Sequence, residues 1–120
     1  MAKYVDGFVL PIPKKNLAAY KKLAQLAAKV WIEHGALAYH ECVAHQLDVP
    51  MGTRFDRLTK AKKGETVVLA WIVYKSRAHH DRVTAKVMKD PRLAAACNAE
   101  NMPFDMKRMT WGGFESLVEG

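Results

Sequence analysis

Only two cysteines occur in the 120 residues, Cys42 and Cys97, far apart and outside any Cys-x-x-Cys spacing. A disulfide framework is therefore excluded, and ordinary buried thiols in a reduced, intracellular protein are expected. Long apolar runs are missing too. The longest, Val67 to Val73, falls far short of the ~20 residues a spanning helix needs. The opening MAKYVDGFVL carries no secretory apolar segment. These absences predict a cytoplasmic protein with no membrane partner. No G-x-x-x-x-G-K-[ST] loop is present, and Gly112-Gly113 falls inside a strand pattern rather than before a helix. There is no G-x-S-x-G elbow and no Ser/His/Asp signature.

Acidic residues are outnumbered, 12 against 19 Lys and Arg, for a net charge of +7. The excess is dispersed over two helical segments, apart from RFDRLTKAKKG at residues 54 to 64, where one acid sits among five bases. Dispersed charge predicts solvated helix faces. The dense loop leaves open a contact with RNA or another anionic partner.

A chain of this length buries roughly 65% of its unfolded surface, enough for one domain with its own core. Lys3 to Ile12 alternates as a first strand, ended by Pro11 and Pro13. Asn16 opens a helix whose apolar positions Leu17, Tyr20, Leu23, Ala24, Ala27, Val30 and Trp31 recur at helical spacing until Gly35. His34 suits its C-terminal end as a cation. Residues 36 to 45 predict a second strand, and 46 to 64 a long connection with one helical turn near Asp56 to Lys60. ETVVLAWIVYK is the strongest strand pattern. Ser76 then caps a helix through Met88, RLAAAC adds a short helical piece, and a last strand runs from about Arg108 to Val118.

This order, βαββαβ, predicts a ferredoxin-like α+β sandwich, a four-stranded antiparallel sheet with two helices on one face. The third strand, however, is apolar on both faces: Val68, Ala70, Ile72 and Tyr74 against Val67, Leu69, Trp71 and Val73. A sheet with one wet face alternates apolar with polar, so a second cover is expected. A second copy meeting sheet to sheet as a dimeric α/β barrel supplies it.

The segments YVDGFVLPIPKKNLAAY, GETVVLAWIVYKSRAHHDRVTAKVMKDPR and NMPFDMKRMTWGGFE resemble the YbaA-like proteins, a small bacterial family of unknown function. The resemblance covers most of the chain and implies the dimeric α/β-barrel fold class. It carries over no substrate, cofactor or catalytic residue.

Single charged groups within the apolar strands mark candidate cleft positions. Asp6 lies on the side of Tyr4 and Phe8 and must be paired, hydrogen-bonded or set against a wet cavity. Glu41 shares a strand face with Tyr39. Trp71 reads as sheet filler toward the partner or as a pocket wall. In the closing stretch, Phe104, Met106 and Met109 read as apolar filler. Asp105 and Arg108 either pair with each other or project toward a cleft, and the Gly pair permits a bend or bulge. His40-x-Cys42 offers two metal ligands with no third in sight, and the adjacent His79 and His80 diverge around their helix. No metal or other cofactor is therefore expected. The leading expectation is a homodimer holding a small apolar or semi-polar ligand in a cleft lined from Tyr4, Asp6, Phe8, Tyr39, Glu41, Trp71, Phe104, Asp105 and Arg108. The alternative is a non-catalytic dimeric module meeting RNA or another anion through its basic surface, although nucleic acid is not the favoured partner.

Overall fold

The computed structural model describes residues 2–98, 100 and 102–120. Four strands, β1 (Tyr4–Pro13), β2 (Ala38–Val43), β3 (Glu65–Tyr74) and β4 (Thr110–Glu115), form one antiparallel sheet in the order β2-β3-β1-β4. Helices α1 (Leu17–Glu33), α2 (Phe55–Leu58), α3 (Arg77–Met88) and α4 (Pro91–Ala96) complete the chain. This is the ferredoxin-like arrangement.

The period-two pattern decides which residues meet the helices. Tyr4, Asp6, Phe8, Leu10 and Ile12 on β1 stand opposite Tyr74, Ile72, Ala70, Val68 and Thr66 on β3, so the even-numbered positions share one face. Leu10, Ile12, Val68, Ile72 and Tyr74 there are almost wholly buried, packed with Tyr20, Val30, Val83, Val87 and Leu93 from the helices. The molecule is 20 Å across its thinnest axis, the depth of one sheet and one helical layer.

The opposite face is covered at one end, where Pro11 and Val67 are buried and Val67 lies beside the connection that carries α2; over the rest of it, no described element packs. Val5, Val9, Leu69, Trp71 and Val73 share it, with Phe114 of β4 and with His40 and Cys42 of β2. Leu69 is 40% and Phe114 63% exposed despite their place in a sheet. Burial would favour such side chains by about 1.5–3 kcal/mol each.

Several local expectations are modified. Asn16 stands at the N-cap of α1 without capping it; its side-chain amide donates instead to the Pro103 carbonyl at 2.9 Å, tying the start of the helix to the segment ahead of β4. Gly35 adopts φ 116°, the left-handed turn that stops a helix and suits glycine. β1 continues through Pro11 to Pro13, where β4 has already ended and β3 is its only neighbour; a missing N–H is tolerated at such an edge. Ser76 accepts the His79 N–H at 3.2 Å and caps α3. Asp90 caps α4, accepting from the Arg92 N–H at 2.9 Å while its carboxylate also meets His34 and the Arg92 guanidinium.

Two expectations are overturned. The thiols are not buried: Cys42 and Cys97 are both exposed, because β2 is an edge strand and Cys97 follows the last turn of α4. The glycine pair makes no bulge, since β1 and β4 pair without a slip from Tyr4–Glu115 to Val9–Thr110. Gly113 instead gives room to Tyr4. A Cβ at this position would overlap the Tyr4 hydroxyl and lie 2.7 Å from its ring Cζ.

Candidate functional site

α1 crosses the sheet with Leu17, Tyr20, Ala24 and Ala28 along the side that faces β2. The short side chains of Ala24 and Ala28 leave the space between the helix and the edge strand unfilled, a cavity of about 490 Å3. Tyr20, Tyr39 and Glu41 belong to its wall and also to that of a smaller inner chamber of about 140 Å3 under the helix layer. Phe8, Trp31 and Phe104 add three more aromatic rings to the inner chamber, closed beneath by Leu10, Ala70 and Ile72 of the sheet.

Glu41 sits at the junction. Its Oε2 accepts the Tyr39 hydroxyl at 2.7 Å, and its Oε1 accepts the Tyr20 hydroxyl in a very short contact. Tyr39 reaches it along β2, two residues away on the same face, and Tyr20 reaches it from α1. Burial, reinforced by the neighbouring carboxylate, pushes both phenols well above their ordinary range, so they remain hydrogen-bond donors. A carboxylate has about four acceptor positions, and the two phenols occupy one on each oxygen. The remainder can take a ligand's donor or a proton.

A second polar network lies on the same face, beneath α3. Asp6 is 7% exposed. Its Oδ2 accepts the Tyr74 hydroxyl at 3.1 Å and meets His80 Nε2 at 3.1 Å. His80 Nδ1 lies 2.8 Å from Asp81, and the Trp31 indole N–H donates to the Tyr74 hydroxyl at 3.0 Å. Tyr4 packs against His80, ring centroids 4.9 Å apart. Burial and then the Asp6 charge hold the Tyr74 phenol above its usual range. Asp6 is thus a compensated buried carboxylate, linked to the inner chamber through the Tyr74 hydroxyl and the Trp31 indole.

The candidate residues therefore separate. Phe8, Tyr39, Glu41 and Phe104 come together around the inner chamber. Tyr4 and Asp6 belong to the network under α3. Trp71 is on the opposite face of the sheet, stacked with His40 at 5.0 Å. The side chains of Asp105 and Arg108 take different partners, and the two residues meet only through the backbone, the Arg108 N–H donating to the Asp105 carbonyl at 3.0 Å. Asp105 accepts the Lys107 N–H at 3.0 Å, starting a 3-10 turn at Met106–Arg108. Arg108 grips Glu65 and donates to the Lys60 carbonyl at 3.0 Å. Within the basic loop, Arg54 is held by both oxygens of Asp56.

Tyr20 and Trp31 were legible only as members of an apolar helix stripe. A tyrosine on a buried stripe requires a hydrogen-bond partner, and the alternation of β2 offers Glu41 on the facing side; that combination was the available signal. Among the described residues, no three His, Cys, Asp or Glu side chains come together to hold a metal ion, and no helix is long and apolar enough to cross a membrane.

Residues 3–106 match the model of a family described as a protein of unknown function (DUF1428). The uncharacterized protein YbaA of Escherichia coli strain K12 is 45% identical over 119 residues, covering 98% of each chain, and YbaA of Shigella flexneri matches equally. Among solved structures, a dimeric ferredoxin-like protein from an uncultured marine organism superimposes with a TM-score of 0.64 at 13% identity, over the whole of both chains. At that identity the likeness concerns the fold.

Proposed function

The chain belongs to the DUF1428 family, and from that premise we propose that it is a homodimer that binds a small, largely apolar molecule in the cleft between α1 and the sheet, with Glu41 as its polar anchor. The observation that carries this reading is the half-buried Glu41 carboxylate, held by two tyrosine hydroxyls where two cavities meet. An apolar space with a few convergent polar groups is the usual form of a small-molecule site. The pairing supports either binding alone or proton transfer at the carboxylate.

The second copy belongs on the uncovered sheet face. Its central side chains Val9, Leu69, Trp71 and Val73 are continuous across β1 and β3, and an apolar patch of this kind on a soluble chain marks an interaction surface. The dimeric description of the structural neighbour agrees. Since the cleft opens on the helix side, dimerisation leaves it accessible.

The test is a fragment screen by ligand-observed NMR, repeated on Ala28→Trp, which fills the outer cavity. Binders that lose their signal in this variant, while its circular dichroism matches the parent chain, are the expected result. A screen whose binders are indifferent to the substitution overturns the assignment of the cleft.

A further inference from the structure

The inner chamber has one charge and no counter-charge. Among the described residues, Glu41 is the only acidic one in its wall, and neither lysine nor arginine contributes to it. Lys21 borders only the outer cavity, from an exposed position on α1. Tyr20 and Tyr39 remain neutral donors. A carboxylate drawn partly out of water without an opposite charge is costly, and hydrogen bonds alone offset only part of that cost.

The same wall carries the rings of Phe8, Tyr20, Trp31, Tyr39 and Phe104. Tyr20 and Phe104 meet edge to face with centroids 5.6 Å apart, and Trp31 and Tyr39 are tilted at 6.1 Å. Aromatic faces carry the negative side of the ring quadrupole. The carboxylate without a counter-charge gives the chamber a negative interior, repelling anions and giving neutral molecules no electrostatic advantage.

Resting on the cleft reading above, we propose that the ligand is an organic cation: an ammonium head group in the inner chamber, paired with Glu41 and surrounded by the aromatic rings, with its apolar remainder in the outer cavity. The dimensions agree. The inner chamber, at about 140 Å3, is smaller than the roughly 300–1,000 Å3 of pockets that take whole drug-sized ligands and suits a compact head group. The outer cavity, about 490 Å3 with Leu17, Ala24, Ala28 and Val43 in its wall, suits an alkyl or alicyclic portion. A quaternary head gains from the rings and the charge, whereas a protonated amine also donates to the free acceptor positions of Glu41.

The experiment titrates the 15N-labelled full chain with three probes of one shape and different charge: choline, its carbon isostere 3,3-dimethylbutan-1-ol, and 3,3-dimethylbutanoate. Saturable shifts at Tyr39, Glu41 and the Trp31 indole are expected with choline, about tenfold tighter than with the alcohol, and none with the carboxylate. Glu41→Gln, whose amide oxygen still accepts from a tyrosine, is expected to remove most of choline's advantage over the alcohol with unchanged circular dichroism. Equal binding of choline and the alcohol to the parent chain, or tighter binding of the carboxylate, overturns the cation and leaves the cleft in place. Failure of all three to bind overturns the cation assignment, while the fragment screen and Ala28→Trp decide the cleft separately.

Discussion

Arg108 holds Glu65 with both arms of its guanidinium, Nη1 to Oε2 at 2.7 Å and Nη2 to Oε1 at 2.8 Å. The hydrogen bonds from Arg108 outweigh burial and bring the Glu65 pKa down from 4.5 to about 2. A carboxyl whose folded pKa is depressed contributes stability above its unfolded pKa and loses it as pH falls through the folded value. The contribution is therefore complete above about pH 5 and is lost as pH falls from there through about 2. Thermal melts of the parent chain and Arg108→Met are expected to differ most near neutrality and to converge on acidification through this window. A difference that does not shrink would show that the pair adds no pH-dependent stability.

The Tyr74 hydroxyl accepts from Trp31 and donates to Asp6. Tyr74→Phe removes both bonds with little change in shape, leaving the indole N–H unpaired and Asp6 Oδ2 with His80 alone. A loss of about 1–3 kcal/mol is expected, read by urea denaturation. No loss would mean that the hydroxyl's partners are satisfied elsewhere.

Gly113 and Tyr4 occupy adjoining space on the helix side of the sheet. Gly113→Ala is expected to destabilise the chain by about 1–3 kcal/mol, as overpacking does. In a Tyr4→Ala background the same substitution should cost much less, a coupling that a double-mutant cycle measures. Additive losses would show that Tyr4 is not the obstacle.

Leu69 lies within the uncovered sheet face, between Val9 of β1 and Cys42 of β2 in the ladder. Leu69→Glu introduces a carboxylate where a second sheet is proposed to dock, and two copies would bring two such charges into an apolar interface. Sedimentation equilibrium is expected to show the parent at twice the chain mass and the variant at the chain mass. An unchanged dimer would place the interface elsewhere.

Much of the fold was legible because it rests on local regularities. The two apolar faces of β3, the stripe and Gly35 stop of α1, and Ser76 ahead of α3 each involve residues close in sequence. The site was less legible because its contacts are remote. Asp6 and His80 are 74 positions apart, and Glu65 and Arg108 are 43. Alternation places Asp6 with Tyr4 and Phe8, but not beneath a histidine. It also separates Trp71 from Tyr39 and Glu41, a division visible only once the β2–β3 register is known. The exposed thiols follow from strand order and the position of α4, which local patterning does not reveal.

The central position of β1 governs when the fold can form as the chain leaves the ribosome. β1 is made first, yet its two neighbours are β3, beginning at Glu65, and β4, beginning at Thr110. β2, the next strand made, pairs only with β3. The first half of the chain therefore holds two strands with no ladder between them, and α1 has no completed sheet on which to bury its apolar stripe. Closing such long loops before any pairing is rewarded is entropically slow. The nascent chain should thus remain open to chaperones and proteases until β3 emerges, then acquire its sheet late and within a short interval.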